Sequence, residues 1–131
     1  MSANMDLVRR IYDRWERGDW HGHELADPEI EFVIADGPDP RGIVGREAMD
    51  REWREFLGAW ADYSVTGEEF RELDEDRVLV LLHARGRGKT SGAAIAPMVG
   101  ANVFTIRAGL VARLAIYFDH RHALVELGSQ G

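Results

Sequence analysis

The sequence predicts a single α+β domain in which N-terminal helices cover a curved antiparallel sheet and enclose an apolar pocket. Three observations carry that prediction. Two stretches in the first half place apolar residues at helical spacing, four strand-like runs joined by short turns fill most of the second half, and 131 residues suit one hydrophobic core. One domain over residues 1–131, with one principal pocket, is the expectation.

Taken in order, Asn4 is a candidate N-cap for a first helix in which Val8, Ile11, Tyr12 and Trp15 share a face and Gly18 supplies the stop. Asp19 can cap a short second helix through Trp20 and Leu25, ending before Pro28. Residues 29–35 read as a strand, and 36–40, with two prolines and a glycine, as a loop. A third helix over 46–60 carries Met49, Trp53, Phe56, Leu57 and Trp60 on one side. Strands follow at 63–72, 77–87, 93–107 and 110–118. The links between them, Asp74-Glu75-Asp76, Gly88-Lys89-Thr90 and Ala108-Gly109, are short enough to require antiparallel neighbours. Pro97 and its flanking glycines predict a bulge that bends the third of these strands. Asp119 is placed to cap a terminal helix over 120–127, with Gly128 beyond it.

Composition removes several kinds of chemistry. The absence of cysteine excludes disulfides and thiol nucleophiles, and a formal charge of −7 repels a phosphate backbone. No nucleic-acid partner is expected. No apolar run is long enough to span a bilayer, and MSANMDLVRR lacks the apolar stretch of a signal peptide, so a cytoplasmic location is the default. Gly88-Lys89-Thr90 is no phosphate loop, because His83 stands where the first glycine belongs and no helix follows. The pairs His21/His23 and His120/His122 lack a carboxylate at ligand spacing, so no metal is expected, and no other cofactor.

Chemistry must then come from carboxylates, histidines and amides. His83 ends the apolar run 78–82 and is expected on or near the inner face, as a proton carrier or as a hydrogen-bonded core residue. Asp36, after Phe32-Val33-Ile34-Ala35, is a candidate general base or a plain turn residue. Asn102 shares a face with Phe104 and Ile106, where its amide can bond neighbouring backbone or stabilise a substrate oxyanion. Asp119 is a candidate acid as well as a cap. Trp15, Trp53, Phe56, Phe104, Ile116 and Phe118 are candidate pocket walls, and Arg85, two residues from His83, could pair with a carboxylate or an anionic substrate group.

The segments 9–20, 26–32 and 45–49, followed by 88–92, 103–109 and 116–119, resemble SnoaL-like proteins of the nuclear transport factor 2-like superfamily along nearly the whole chain. The resemblance implies a cone of helices and bent sheet around a deep pocket, commonly a homodimer through the sheet. Its members include ketosteroid isomerases, polyketide cyclases, epoxide hydrolases, dehydratases and non-enzymes. By resemblance to the isomerases, the base falls at Asp36 or Val33, depending on which segment is aligned. An oxyanion donor falls at Asn102, and the tyrosine donor falls at Ile11, next to Tyr12, which is a candidate to polarise a substrate oxygen together with Asn102. The hydrolase pattern would need acidic residues where Arg85 and Ile116 stand. The expected function is cofactor-free proton transfer, by an isomerase, cyclase, dehydratase or hydrolase, on an apolar oxygenated substrate. The alternative is a non-catalytic ligand-binding or dimerisation module.

Overall fold

The computed structural model describes residues 3–20, 23–36, 40–58, 60–88 and 98–127. Three helices, α1 (Ala3–Glu16), α2 (Arg46–Gly58) and α3 (His120–Glu126), accompany six strands. These are β1 (Ala26–Ile34), β2 (Arg41–Val44), β3 (Trp60–Glu72), β4 (Arg77–Gly88), β5 (Met98–Arg107) and β6 (Leu110–Tyr117). The strands form one sheet in the order β2-β1-β6-β5-β4-β3, antiparallel throughout except for the parallel pair β1–β6. Register shifts interrupt β3–β4, β5–β6 and β1–β6. Each adds local twist and bends the strand, so the sheet curves without closing. With α1 and α2 against its concave face, the molecule is an α+β cone. Among the described residues no helix is long and apolar enough to cross a membrane.

Period-two alternation sorts side chains between two clusters. Val78, Val80, Leu82 and Ala84 of β4 and Phe104 and Ile106 of β5 point inward, where Val8, Ile11 and Tyr12 of α1 meet them. Leu79, Val103, Ala115 and Tyr117 point outward, where Ala123 of α3 covers them. The turns are built as their sequences require. Asp74 Oδ1 accepts the amides of Asp76 and Arg77 at 2.9 Å each, and Ala108 and Gly109 both adopt positive φ, the geometry that joins twisted strands through two residues. Asp119 caps α3 by accepting the Arg121 amide at 2.9 Å.

Four elements differ from the sequence reading. Asn4 is not a cap: helix begins at Ala3, and the Asn4 amide instead donates to the Glu75 carbonyl at 2.8 Å, tying α1 to the β3–β4 turn. The short second helix is a three-residue 3-10 turn, His23–Leu25, and β1 begins at Ala26. Pro28 is tolerated because no partner is registered between Ala26 and Glu31, so its missing N–H breaks no ladder. β2 was not anticipated, since its four residues are mostly exposed and follow a proline-rich loop. The pairing of β1 beside β6 adds a parallel contact to a sheet expected to be antiparallel. The loop residues Gly37, Pro38 and Asp39, the turn at Lys89 and Thr90, Pro97, His21 and Gly128 lie outside the described residues.

At Gly100 the sheet comes close to its own backbone. A Cβ on Gly100 would stand 2.6 Å from the Tyr117 carbonyl oxygen, a backbone atom that cannot turn aside. Gly100→Ala is therefore expected to destabilise the fold by about 1–3 kcal/mol in chemical denaturation, whereas Gly42→Ala, which meets nothing within 4 Å, stays within about 0.5 kcal/mol.

Candidate functional site

Among the described residues, two chambers lie against an aromatic wall of the cone. The larger, about 350 Å³, lies among Trp15, Phe32, Trp53, Phe56, Tyr63, Asn102, Ile116 and Phe118, with Arg41, Glu52 and Glu55 also on its lining. The smaller, about 70 Å³, lies among Ile11, Trp15, Trp20, Ile30, Phe32, Trp53, Phe104 and Leu114, with Arg14 and Asp50. α1, α2 and β3 supply a continuous run of rings. Trp15 and Trp20 each lie within 6 Å of Trp53, Trp53 stacks on Phe56 at 5.6 Å, and Phe56 meets Tyr63 edge-on at 5.1 Å. Such rings present a broad apolar surface that keeps its shape at little entropic cost.

Among the described residues Asn102 and Thr105 are the buried polar ones, and Asn102 lies on a chamber wall. Only 5% exposed, it lines the larger chamber from β5, and its Nδ2 donates to the Tyr12 hydroxyl oxygen at 2.7 Å. Tyr12 is 1% exposed and lies behind Asn102, boxed by Trp15, Phe70 and Phe104. Burial pushes its hydroxyl far above the ordinary tyrosine value, so it stays neutral and holds the amide in place. Besides the N–H given to Tyr12, an asparagine amide has a carbonyl oxygen that accepts and a second N–H that donates, the groups that suit an oxygen function. Burial also pushes Tyr63, on the chamber wall, up to about 12.

The remaining sequence candidates separate. His83 is corrected: its side chain is on the outer face, about half exposed, with Nδ1 2.5 Å from Glu68 Oε1. The run 78–82 is apolar on both faces, so it gave no parity, and the alternation that turns Leu82 and Ala84 inward turns His83 and Arg85 outward. Arg85 is likewise exposed and away from both chambers. Asp36 has an 11% exposed side chain whose Oδ1 accepts the Phe118 amide at 2.6 Å, while Oδ2 accepts the Asp119 amide at 3.1 Å and lies 2.6 Å from His122 Nδ1. It pins the end of β1 to the β6–α3 junction and lines neither chamber. Asp119 is occupied as the α3 cap, and the Arg121 side chain holds its carboxyl well below the usual range, which does not suit a proton donor. The pair His120/His122 diverges, with His122 on Asp36 and His120 Nδ1 3.9 Å from Asp119.

Trp15, Trp53, Phe56, Ile116 and Phe118 do line the larger chamber, and Phe104 the smaller. Arg41, Glu52, Glu55 and Tyr63 were not anticipated. Arg41 of β2 and Glu52 of α2 form an ion pair that joins the two elements beside the larger chamber. The only sequence signal for Glu52 was its position next to Trp53.

A family model for the SnoaL-like domain matches residues 8–114. No curated protein matches the chain. Among solved structures, a nuclear transport factor 2-like protein of unknown function from Burkholderia pseudomallei is similar at 22% identity and TM-score 0.79, over 95% of this chain and 97% of its own. TerC co-crystallised with polyporic acid is similar at 20% identity and TM-score 0.74, over 98% and 100%. A protein with a ketosteroid isomerase-like fold from Catenulispora acidiphila, in complex with trimethylamine, is similar at 14% identity and TM-score 0.72, over 94% and 92%. At these identities the likeness is one of fold.

Two measurements follow from the polar core. Tyr12→Phe leaves an Asn102 N–H without its partner in an apolar setting, an expected loss of about 1–3 kcal/mol by chemical denaturation. All three tyrosines titrate above their ordinary value of 10.0, Tyr117 through burial and its bond to Glu126. A raised folded-state value favours the neutral form, so this stability is complete below pH 10 and falls as pH rises beyond it. Phenolate absorbance of the native protein is expected to lag behind that of the unfolded chain and to appear together with alkaline unfolding.

Proposed function

The chain belongs to the SnoaL-like domain family, and from that premise we propose that its larger chamber binds a small, mostly apolar molecule through an oxygen held by Asn102. The observation that carries this reading is the chamber's composition: aromatic and aliphatic walls around one buried amide held in place by Tyr12. In such an apolar setting an amide on the wall favours a ligand carbonyl or hydroxyl that can share a hydrogen bond with it. The volume is at the small end of ligand sites, which fits a one- or two-ring compound. TerC, similar in fold, was co-crystallised with polyporic acid, which supports a small oxygen-bearing molecule as the ligand class.

Acid–base chemistry on the bound molecule is a second reading, favoured by one observation. Neither Asp36 nor His83 reaches the chamber, but Glu52 lines it together with Asn102. In that reading Glu52 takes a proton next to a carbonyl whose oxygen accepts from the Asn102 amide, and returns it one double bond away. The substrate's double bond shifts and no cofactor is consumed.

Isothermal titration with 4-ethylphenol tests the binding reading. Wild-type protein is expected to bind it, and Asn102→Leu to weaken binding roughly ten-fold through the lost hydrogen bonds, with the fold intact by circular dichroism. Equal affinity in both would remove Asn102 from the site. For the second reading, conversion of 3-cyclohexen-1-one to 2-cyclohexen-1-one, followed by ultraviolet absorbance, is expected above background in wild type and lost in Glu52→Gln. No conversion by wild type would leave binding as the function of the chamber for that compound class.

A further inference from the structure

The two chambers share three lining residues, Trp15, Phe32 and Trp53. Their order along the sheet sets them end to end, like two parts of one divided channel. On β1, Ile30 faces the smaller chamber, Phe32 both, and Ile34 the larger. On β6, Leu114 faces the smaller and Ile116 the larger. On β5, Phe104 faces the smaller and Asn102 the larger. The channel therefore follows the strands, and at ~3.3 Å per residue the span from Ile30 to Ile34 is about 13 Å, cut near its middle. A molecule held at Asn102 has about half that length available before it meets the partition.

The three partition residues are not equally fixed. Trp15 belongs to α1, which contributes five buried residues, and packs on Tyr12 at 5.0 Å and on Phe104 at 6.3 Å. Phe32 is 3% exposed on β1, between β2 and β6. Trp53 is half-buried on α2, which contributes no fully buried residue. Its ring contacts Trp20 on the side of the smaller chamber and Phe56 on the side of the larger. It spans the division and is the member whose removal disturbs the core least.

We propose that Trp53 is the specificity-determining residue that sets ligand length, confining the site to compounds that end at the partition. Replacing its indole with a small side chain merges the smaller chamber with the larger and admits an apolar tail that runs from Asn102 past Phe104. This assignment rests on the larger chamber being the ligand site.

The test is isothermal titration of wild type, Trp53→Ala and Trp53→Phe with 4-n-alkylphenols from methyl to octyl, each protein first shown to melt cooperatively. Wild-type affinity is expected to rise with the first few methylenes, by about four-fold each, and then to fall once the chain reaches the partition. In Trp53→Ala the maximum moves to longer chains, and the longest member binds at least ten-fold better than to wild type. Trp53→Phe, which keeps a ring at the division, retains most of the wild-type cut-off. Should Trp53→Ala fail to fold, Trp53→Leu carries the same expectation with a smaller displacement of the maximum. Binding of short members with an unmoved cut-off in the folded variant overturns the role of Trp53 and leaves the chamber assignment standing. Absence of binding by every member to every protein overturns both.

Discussion

β5 is buried on both faces, and this constraint orders the rest of the molecule. Ala101 and Val103 face the cluster under α3, while Asn102, Phe104 and Ile106 face the cone. A slip of one residue would exchange the two sets and place the Asn102 amide among apolar side chains on the convex side. The hydrogen bond from Asn102 to Tyr12 opposes that slip, because it ties the register of β5 to the position of α1 across 90 residues of sequence. Gly100 adds a second restraint, since only a residue without a side chain fits beneath the Tyr117 carbonyl. The position of the cavity's polar group and the curvature of the sheet thus have a common origin in one strand.

The parallel pair β1–β6 completes the cone by bringing the first strand beside the last. Asp36 secures this junction where β1 ends, accepting two backbone amides from the start of the β6–α3 connection. A carboxylate near the end of a strand in a helix-covered sheet has the residue type of a general base. Its neighbours here make it a backbone clamp, and its acceptor capacity is directed at Phe118, Asp119 and His122 instead of at the chamber. Residue type alone left its role open; the role follows from the groups within hydrogen-bond reach.

Much of the fold was legible because its signals are periodic. α1, α2 and five of the six strands were legible from apolar spacing and turn residues, and the inward direction of Asn102 follows from its alternation with Phe104 and Ile106. Where the pattern carries no phase, the reading failed. β4 is apolar on both faces through 78–82, so the direction of His83 and Arg85 was undetermined by sequence, and both turn outward. β2 is short and exposed, with no alternation to detect. Of the chamber walls, Trp15, Trp53 and Phe56 were legible as apolar residues on helix faces. Glu52 and Glu55 were not, because a half-exposed helix turns polar residues toward solvent and toward a cavity mouth with the same spacing. Arg41 was hidden for a different reason, belonging to a strand that the sequence did not announce.

The uneven anchoring of the two long helices also bears on how such a protein diversifies. α1 is joined to the core by five buried residues and by the Tyr12 bond, so nearly every change on its inner face alters stability. α2 faces the cavity without a fully buried residue and can be rewritten at smaller thermodynamic expense. Selection acting on such a chain would find new ligand preferences mainly through α2, and the sheet and α1 would persist as the inherited frame beneath them.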